Sequence, residues 1–428
     1  MLGASELPQP LRVCEAPGVA TRLGQPAGAV ELFHDGERLE ARRGEPLALA
    51  LIAADRLLLS RSPKLHRPRG PYCLRGACEG CLVRVNGLPN QPACRVLVQG
   101  GEQVETQNVL GTRETDLLAA ADFLFPQGID HHRLMAGIRG ISPLVGNFAR
   151  RIAGLGRLAD HAPEVRPAQR REVPLLIVGG GRAGLTAAAR LGQRATLVDD
   201  GHTLGGALTA LDPKRAEALA ATARASGADL YPHASVLALS REPDDGTGRI
   251  SALVATKQET LLLRCQAVLL ATGRHDATPA FANNDLPGIF SARAALFAWQ
   301  NDVLIGSRIG IVGSGRYAAR LVEQVQGAAE LVQLDAESVL RAIGRERIGG
   351  VEIRVGDGTR RIKLNALAFD GPGAPSFELA VQGGASVDFD ANAGYFPRAD
   401  ANGLVAERLF VPGPDFFAVL AAIERTLA

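Results

Sequence analysis

Lysine is nearly absent. Lys64, Lys214, Lys257 and Lys363 are the only four in 428 residues, although 47 basic side chains balance 45 acidic ones for a net charge of +2. Arginine therefore carries almost all the positive charge, which reads as the bias of a GC-rich genome rather than as function. No basic run or face stands out, and this excludes a dedicated nucleic-acid binder. The N-terminal stretch MLGASELPQPLRVCEAPGVATRLGQPAGA has no basic start followed by an apolar core, so it does not read as a secretory signal. No apolar run approaches the ~20 residues that a membrane helix requires. There is no low-complexity segment and no short-period repeat. The expectation is a soluble cytoplasmic chain of more than one domain, with its thiols reduced.

Against these absences stands one concentration. The segment GPYCLRGACEGCLVRVNGLPNQPAC, residues 70–94, holds four of the six cysteines. Cys73, Cys78, Cys81 and Cys94 are spaced C-x4-C-x2-C-x12-C. The first three cysteines match the ligand loop of plant-type 2Fe–2S ferredoxins, and the x12 gap to the fourth is a shorter variant of that pattern. Gly76 and Gly80 let such a loop fold tightly and aim its N–H groups at sulfur. Asn86-Gly87 reads as a hairpin turn that returns Cys94 to Cys81. A zinc site and buried structural thiols are the alternatives. Structural zinc sites usually use two short C-x2-C knuckles, and this segment has one. Cys14 and Cys265 read as bystanders, and the neighbouring pair His131 and His132 reads as surface rather than metal ligand.

Around the cysteines, VELFHDGERLEARRG reads as a hairpin at Asp35-Gly36 and PLALALIAADRLLL as a helix. LVRV, VLVQ and QVETQNV read as strands. Two hairpins around one helix predict a β-grasp, ferredoxin-like domain. Two strand–glycine turn–helix–strand patterns follow, PLLIVGGGRAGLTAAARLGQRATLVDD and RIGIVGSGRYAARLVEQVQGAAELVQLD. Their separation fits one Rossmann domain nested in another. The expected fold class is multi-domain α/β. Its parts are a flexible tail over 1–28, a β-grasp 2Fe–2S domain over 29–112 and a helical connector over 113–171. A first, FAD-type dinucleotide-binding domain takes 172–305 and 400–428, and a second, NAD-type domain takes 306–399.

In the first turn Gly179, Gly181 and Gly184 form G-x-G-x-x-G between a strand and a helix, with Arg182 and Ala183 inside it. That context suits a pyrophosphate at the helix N-terminus. Asp199 or Asp200 closes the next strand, and counting back from Gly205-Gly206 selects Asp200 for the adenosine ribose. Thr272 and Gly273, in Ala271-Thr272-Gly273, complete the set. A glycine turn with no ligand is the alternative. In the second turn Gly313 and Gly315 precede a helix, and Asp335 closes the second strand. An acid there favours NAD; a vestigial fold element is the equal alternative.

KLHRPRG at 64–70, the cysteine loop and PNQPAC, with AGLGRLAD at 153–160, LVDDGHTLGG at 197–206 and NDLPGIFSARAA at 284–295, resemble one family. It comprises the alpha or small subunits of hydrogen cyanide synthase, opine oxidase, hydroxyproline and proline dehydrogenase, and heterotetrameric sarcosine oxidase. The resemblance implies an electron-transfer alpha subunit of a multisubunit FAD-dependent amino-acid, amine or opine dehydrogenase. It implies a beta-type flavoprotein partner that oxidises the substrate, and FMN at a subunit interface. The implied cofactors of this chain are a 2Fe–2S cluster, FAD at the first site with NAD or another adenine nucleotide as the alternative, and NAD at the second. The chain departs from the pattern where Arg182 and Arg316 replace the usual prolines, and where Pro414 separates Gly413 from Asp415 in place of a Gly-Asp pair. No catalytic residue is assigned, since no nucleophile, dyad or active-site cysteine pair is visible. The rival readings are a self-sufficient NAD(P)H-dependent flavin/2Fe–2S reductase and a non-redox nucleotide-binding scaffold.

Overall fold

A computed structural model describes residues 20–24, 28–62, 65–109, 112–113, 158–162, 165–241 and 248–428. Most of the connector expected to be helical lies outside the described residues, as do His131, His132 and Cys14. Contacts divide the chain into two compact units, one of 1–162 with 278–371, the other of 163–277 with 372–428.

The first unit opens with a five-stranded mixed sheet in the order Glu37–Arg42, Ala29–His34, Gln103–Thr106, Leu82–Val85, Leu88–Pro92. Ala29–His34 runs parallel to Gln103–Thr106, and hairpins flank this central pair, which is the β-grasp arrangement. Both hairpin turns put two successive residues at positive φ, Asp35 (52°) with Gly36 (84°) and Asn86 (48°) with Gly87 (79°). That backbone matches the right-handed twist of paired strands and favours Asn, Asp and Gly. The helix against the sheet is Leu47–Ala53, whose sequence LALALIA is apolar on every side. It is accordingly buried on every side. Leu47, Leu49, Leu51 and Ile52 are all 0% exposed, each contributing about 1.5–3 kcal/mol of burial.

Two expectations need correction here. The helix stops at Ala53 instead of running through DRLLL, because Asp55 turns left-handed at φ 58° and the chain extends into the short strand Ser60–Arg61. VLVQ is not a ladder strand. Its backbone is spent on the segment before the helix, with Val98 N–H donating to Glu45 O, and Gly44 and Leu47 N–H donating to Val98 O and Val96 O.

The same unit holds a four-stranded parallel sheet in the order Ile289–Ser291, Ala366–Phe369, Arg308–Val312, Glu330–Leu334. Helices Ala292–Gln300 and Arg316–Val325 belong to it. The β-grasp part is tied to this part at many points. Thr21–Arg22, from the stretch expected to be tail, pairs antiparallel with Val303–Leu304. Arg61 reaches Glu346 (2.6 Å), Arg347 reaches Asp55 (2.6 Å), and Ser291 N–H donates to Tyr72 O (3.0 Å).

The second unit is built on an eight-stranded sheet. Its main path runs Asp229–Pro232, Ala195–Asp199, Ala168–Val178, Thr260–Leu270, Ile250–Ala255, Ser235–Arg241. The first four strands are parallel, and Arg182–Leu191 and Phe416–Thr426 pack on one face. Leu175, Ile177, Leu185, Leu197, Val419 and Ile423 form the core of that layer. This is the doubly wound arrangement expected of a dinucleotide-binding domain. No helix among the described residues is long and apolar enough to cross a membrane.

Candidate functional site: a cysteine loop and two glycine turns

The hairpin at Asn86-Gly87 brings the end of the cysteine segment back to its middle. Leu82 registers with Pro92, and Ala93 N–H donates to Cys81 O at 2.9 Å, which sets Cys94 beside Cys81. The four thiols fall into two hydrogen-bonded pairs, Cys73 with Cys78 and Cys81 with Cys94. Three are buried and Cys78 is half-buried. Within each pair the protons are unequally held. The bond from Cys73 brings the Cys78 thiol down to about 7, and the bond from Cys94 brings Cys81 down. The same bonds, reinforced by burial, push Cys73 and Cys94 up. Backbone amides converge on the sulfurs: Gly76 on Cys94 at 3.1 Å, Arg75 and Ala77 on Cys73, Gly80 on Cys78. A thiolate cluster needs such donors, since they compensate negative charge away from water. Gly76 sits at φ +80°, where an L side chain is strained, and a Cβ on Gly80 would lie 2.3 Å from Gly70 O, so Gly80 takes no larger residue without moving backbone.

No three His, Cys, Asp or Glu side chains among the described residues converge on a single-ion site. Sulfurs arranged as two pairs suit two metal atoms with two ligands each, the stoichiometry of a 2Fe–2S centre.

In the second unit the first glycine turn follows strand Ala168–Val178. Gly179 (φ +107°) lies so close to the neighbouring strand's end that its Cβ would be 2.4 Å from Ala271 O, and Gly184's would be 1.9 Å from Gly179 O. The Gly205-Gly206 loop folds onto the turn, with Gly205 N–H donating to Gly180 O at 2.7 Å and Gly181 Cα 2.9 Å from a Cβ on Gly206. A Cβ on Gly181 would meet nothing within 4 Å, and helix Arg182–Leu191 carries no side-chain cap. The helix N-terminus thus faces open space, which fits a pyrophosphate. Thr272 and Gly273 hold the loop 372–377, Thr272 Oγ1 donating to Ser376 O at 3.3 Å and Ser376 N–H to Gly273 O at 3.1 Å. Ala183 is half-buried against the core, while Arg182 and Asp200 are exposed.

Of the two candidate acids at the end of the next strand, the sequence count selects Asp200, but it is Asp199 that faces the turn. Asp199 turns its carboxylate onto the turn, accepting from Gly180 N at 2.6 Å and Gly201 N at 2.8 Å. Asp415 is the N-cap of Phe416–Thr426 and accepts from Ala418 N at 3.1 Å. In the first unit the second turn places Gly313 at φ +93° after Arg308–Val312, and Asp335 is exposed just past Glu330–Leu334. Asp370, which the sequence reading did not anticipate, accepts from Ala318 N at 2.8 Å.

Residues 27–109 match the 2Fe-2S iron-sulfur cluster binding domain family, and residues 90–288 match pyridine nucleotide-disulphide oxidoreductase. Hydrogen cyanide synthase subunit HcnA of Pseudomonas aeruginosa is 32% identical over 74 residues, 17% of this chain and 70% of that protein. Sarcosine oxidase subunit alpha of Rhizobium meliloti is 28% identical over 413 residues, 85% of this chain. The chain belongs to the hydrogen cyanide synthase–sarcosine oxidase family of alpha-type subunits.

Membership sets the chain among oxidoreductases. It spans 41% of the length of the Rhizobium sarcosine oxidase subunit. The family fold extends to a solved structure, L-proline dehydrogenase from P. horikoshii, with a TM-score of 0.65 at 22% identity over 95% of this chain and 70% of that one.

Proposed function

We propose that this chain is the electron-transfer alpha subunit of a multisubunit FAD-dependent amino-acid, amine or opine dehydrogenase. A beta-type flavoprotein subunit oxidises the substrate, and electrons leave through a 2Fe–2S cluster held by Cys73, Cys78, Cys81 and Cys94. The observation that carries this reading is the convergence of Cys73, Cys78, Cys81 and Cys94, three of them buried, beneath backbone amides. Such a cluster, when bound, accepts and releases one electron at a time. The chain's own part is to enclose it: Cys73, Cys81 and Cys94 keep water from three sulfurs, and the half-buried Cys78 faces outward as the side nearest a redox partner.

The first turn is assigned to a dinucleotide, with FAD the first choice and NAD the second. Gly179, Gly181 and Gly184 give the backbone approach, and Asp200 reaches the ribose. Module limits of 29–112 for the β-grasp part, 172–277 with 372–428 for the first dinucleotide part and 278–371 for the second accompany the proposal, in place of the limits expected at 305 and 400, as does a cytoplasmic setting.

Purified without oxygen, the protein should be brown and hold about two irons and two sulfides per chain. Cys78→Ser should abolish the reduced cluster's electron paramagnetic resonance signal, and Cys265→Ser should leave it. Zinc in place of iron would end the cluster reading. Expressed alone, the chain should oxidise none of glycine, proline, hydroxyproline, sarcosine or opines; turnover by this chain alone would overturn the subunit assignment. Reduction of the cluster by NADH without a partner would transfer the function to a reductase.

A further inference from the structure

The two glycine turns are built alike and finished differently. Each follows a strand of a parallel sheet, and in each the neighbouring strand ends beside it. Leu270 registers with Val178 in one, Phe369 with Val312 in the other. The next residue along the neighbouring strand makes the same two contacts in both places. Ala271 N–H donates to Val178 O at 2.8 Å, and Asp370 N–H to Val312 O at 2.9 Å. Ala271 O lies 2.4 Å from a Cβ on Gly179, and Asp370 O lies 2.2 Å from a Cβ on Gly313. Positions 271 and 370 are therefore equivalent. One carries a methyl group and the other a carboxylate.

That difference decides what stands before each helix. Both helices start from a glycine N-cap that has no side chain to cap them, and at the first turn the space at Gly181 is open to 4 Å. At the second, the Asp370 carboxylate lies 2.5–2.8 Å from a Cβ on Gly315, and its Oδ2 takes the Ala318 amide at 2.8 Å. Ala318 is the third residue of helix Arg316–Val325, so its N–H is one of the unpaired donors an incoming anion would use. The surroundings are positive, since the Arg316 and Arg293 guanidiniums lie 5.2 Å and 5.9 Å from the Tyr317 ring centroid. The helix end is thus an anion site that already holds an anion of its own. A pyrophosphate would have to displace that carboxylate or sit beside it, like charge against like charge.

We infer that Asp370 closes the second turn to dinucleotides by standing where a phosphate would, and that the residue at the 271/370 position sets which turn is open. The chain then binds dinucleotide at the first turn alone. This last clause rests on the first-turn assignment made above; the closure of the second turn does not.

The full-length chain, photolabelled with 8-azidoadenine NAD+ and titrated with NAD+, tests it. In the wild type, label should fall within residues 179–206 and not within 313–335. Asp370→Ala should add label within 313–335, with a gain in NAD+ affinity there on the order of tenfold or more. Ala271→Asp, the reciprocal change, should remove label from 179–206 and leave the cluster absorbance intact. Should Asp370→Ala not fold, Asp370→Ser keeps an acceptor for the Ala318 amide without the charge and must give the same gain. Label within 313–335 of the wild type, or no gain there in the Asp370 variants, overturns the inference. A wild type unlabelled at 179–206 counts against the first-turn assignment instead, and the Asp370 variants still report on the second turn.

Discussion

Gly80 in the cysteine loop and Gly181 in the first glycine turn are both glycine, for opposite reasons. Gly80 is glycine because there is no room, its Cβ position being 2.3 Å from Gly70 O. Gly181 is glycine although there is room, with nothing within 4 Å and an ordinary φ of −77°. A site for a small inorganic group is enclosed by the chain itself, so its glycines are needed by the fold. The open space at Gly181 is proposed to receive a large ligand, so this glycine, unlike its crowded neighbours Gly179 and Gly184, is needed only when the ligand arrives. Stability and binding should therefore respond to substitution in opposite ways at the two places.

The largest effect should come from Gly80→Val. A side chain driven into backbone cannot be relieved by a rotamer change, so this variant should lose iron entirely and fail to form a cooperatively folded β-grasp part, as read by absorbance and circular dichroism. Gly181→Val should do the reverse. It should melt within about 0.5 kcal/mol of the wild type yet lose its extractable nucleotide, with iron content unchanged. If both variants lost stability alike, the contrast would collapse.

Acid should act on the cysteine loop's unit. His34, 0% exposed, donates from Nε2 to Thr106 Oγ1 at 3.2 Å, because the threonine hydroxyl proton is committed to Asp35 at 2.7 Å. Burial, with the Arg113 and Arg56 guanidiniums nearby, lowers the imidazole from its ordinary 6.5 to about 4, against the opposing pull of Asp35 and Glu37. The unfolded chain takes up the proton first. Stability should be fully present above pH 6.5 and should fall by about 3 kcal/mol as the pH drops to 4. Urea unfolding across that range checks this, and His34→Gln should flatten the dependence. A smaller effect belongs to Asp415→Ala, which removes the cap on Ala418 N. It should cost about 1 kcal/mol and leave nucleotide content unchanged, since Asp415 is engaged with its own helix. Loss of nucleotide would instead make Asp415 part of the ligand site.

Much of this was legible in the sequence because it is local. Asp35-Gly36 and Asn86-Gly87 specify their turns through two residues each, and C-x4-C-x2-C specifies a loop whatever packs around it. The helix over PLALALIAADRLLL was read too long because apolar composition continues past Asp55, and only the left-handed backbone there stops it. VLVQ has strand propensity, but its partners are the residues before the helix rather than a sheet edge. Asp199 and Asp200 are neighbours of one type, and which of them turns onto the glycines depends on strand phase. Asp370 was beyond reach for another reason. Its role exists only because Ala366–Phe369 lies beside Arg308–Val312, a pairing across more than fifty residues of chain.

The ties between the β-grasp sheet and residues 287–304 also have a consequence in time. The sheet's last strand, Gln103–Thr106, leaves the ribosome long before Ser291, Asp302 and Leu304, which bind Tyr72, Arg42 and Thr21. At roughly 5–20 residues per second, about 10–40 s of synthesis separate the two. Throughout that interval the cysteine segment is complete but the far wall that Ser291 supplies to Tyr72 has not been made. Iron and sulfide delivered during translation would meet a cysteine segment whose Tyr72 carbonyl, next to Cys73, has yet to receive the Ser291 N–H.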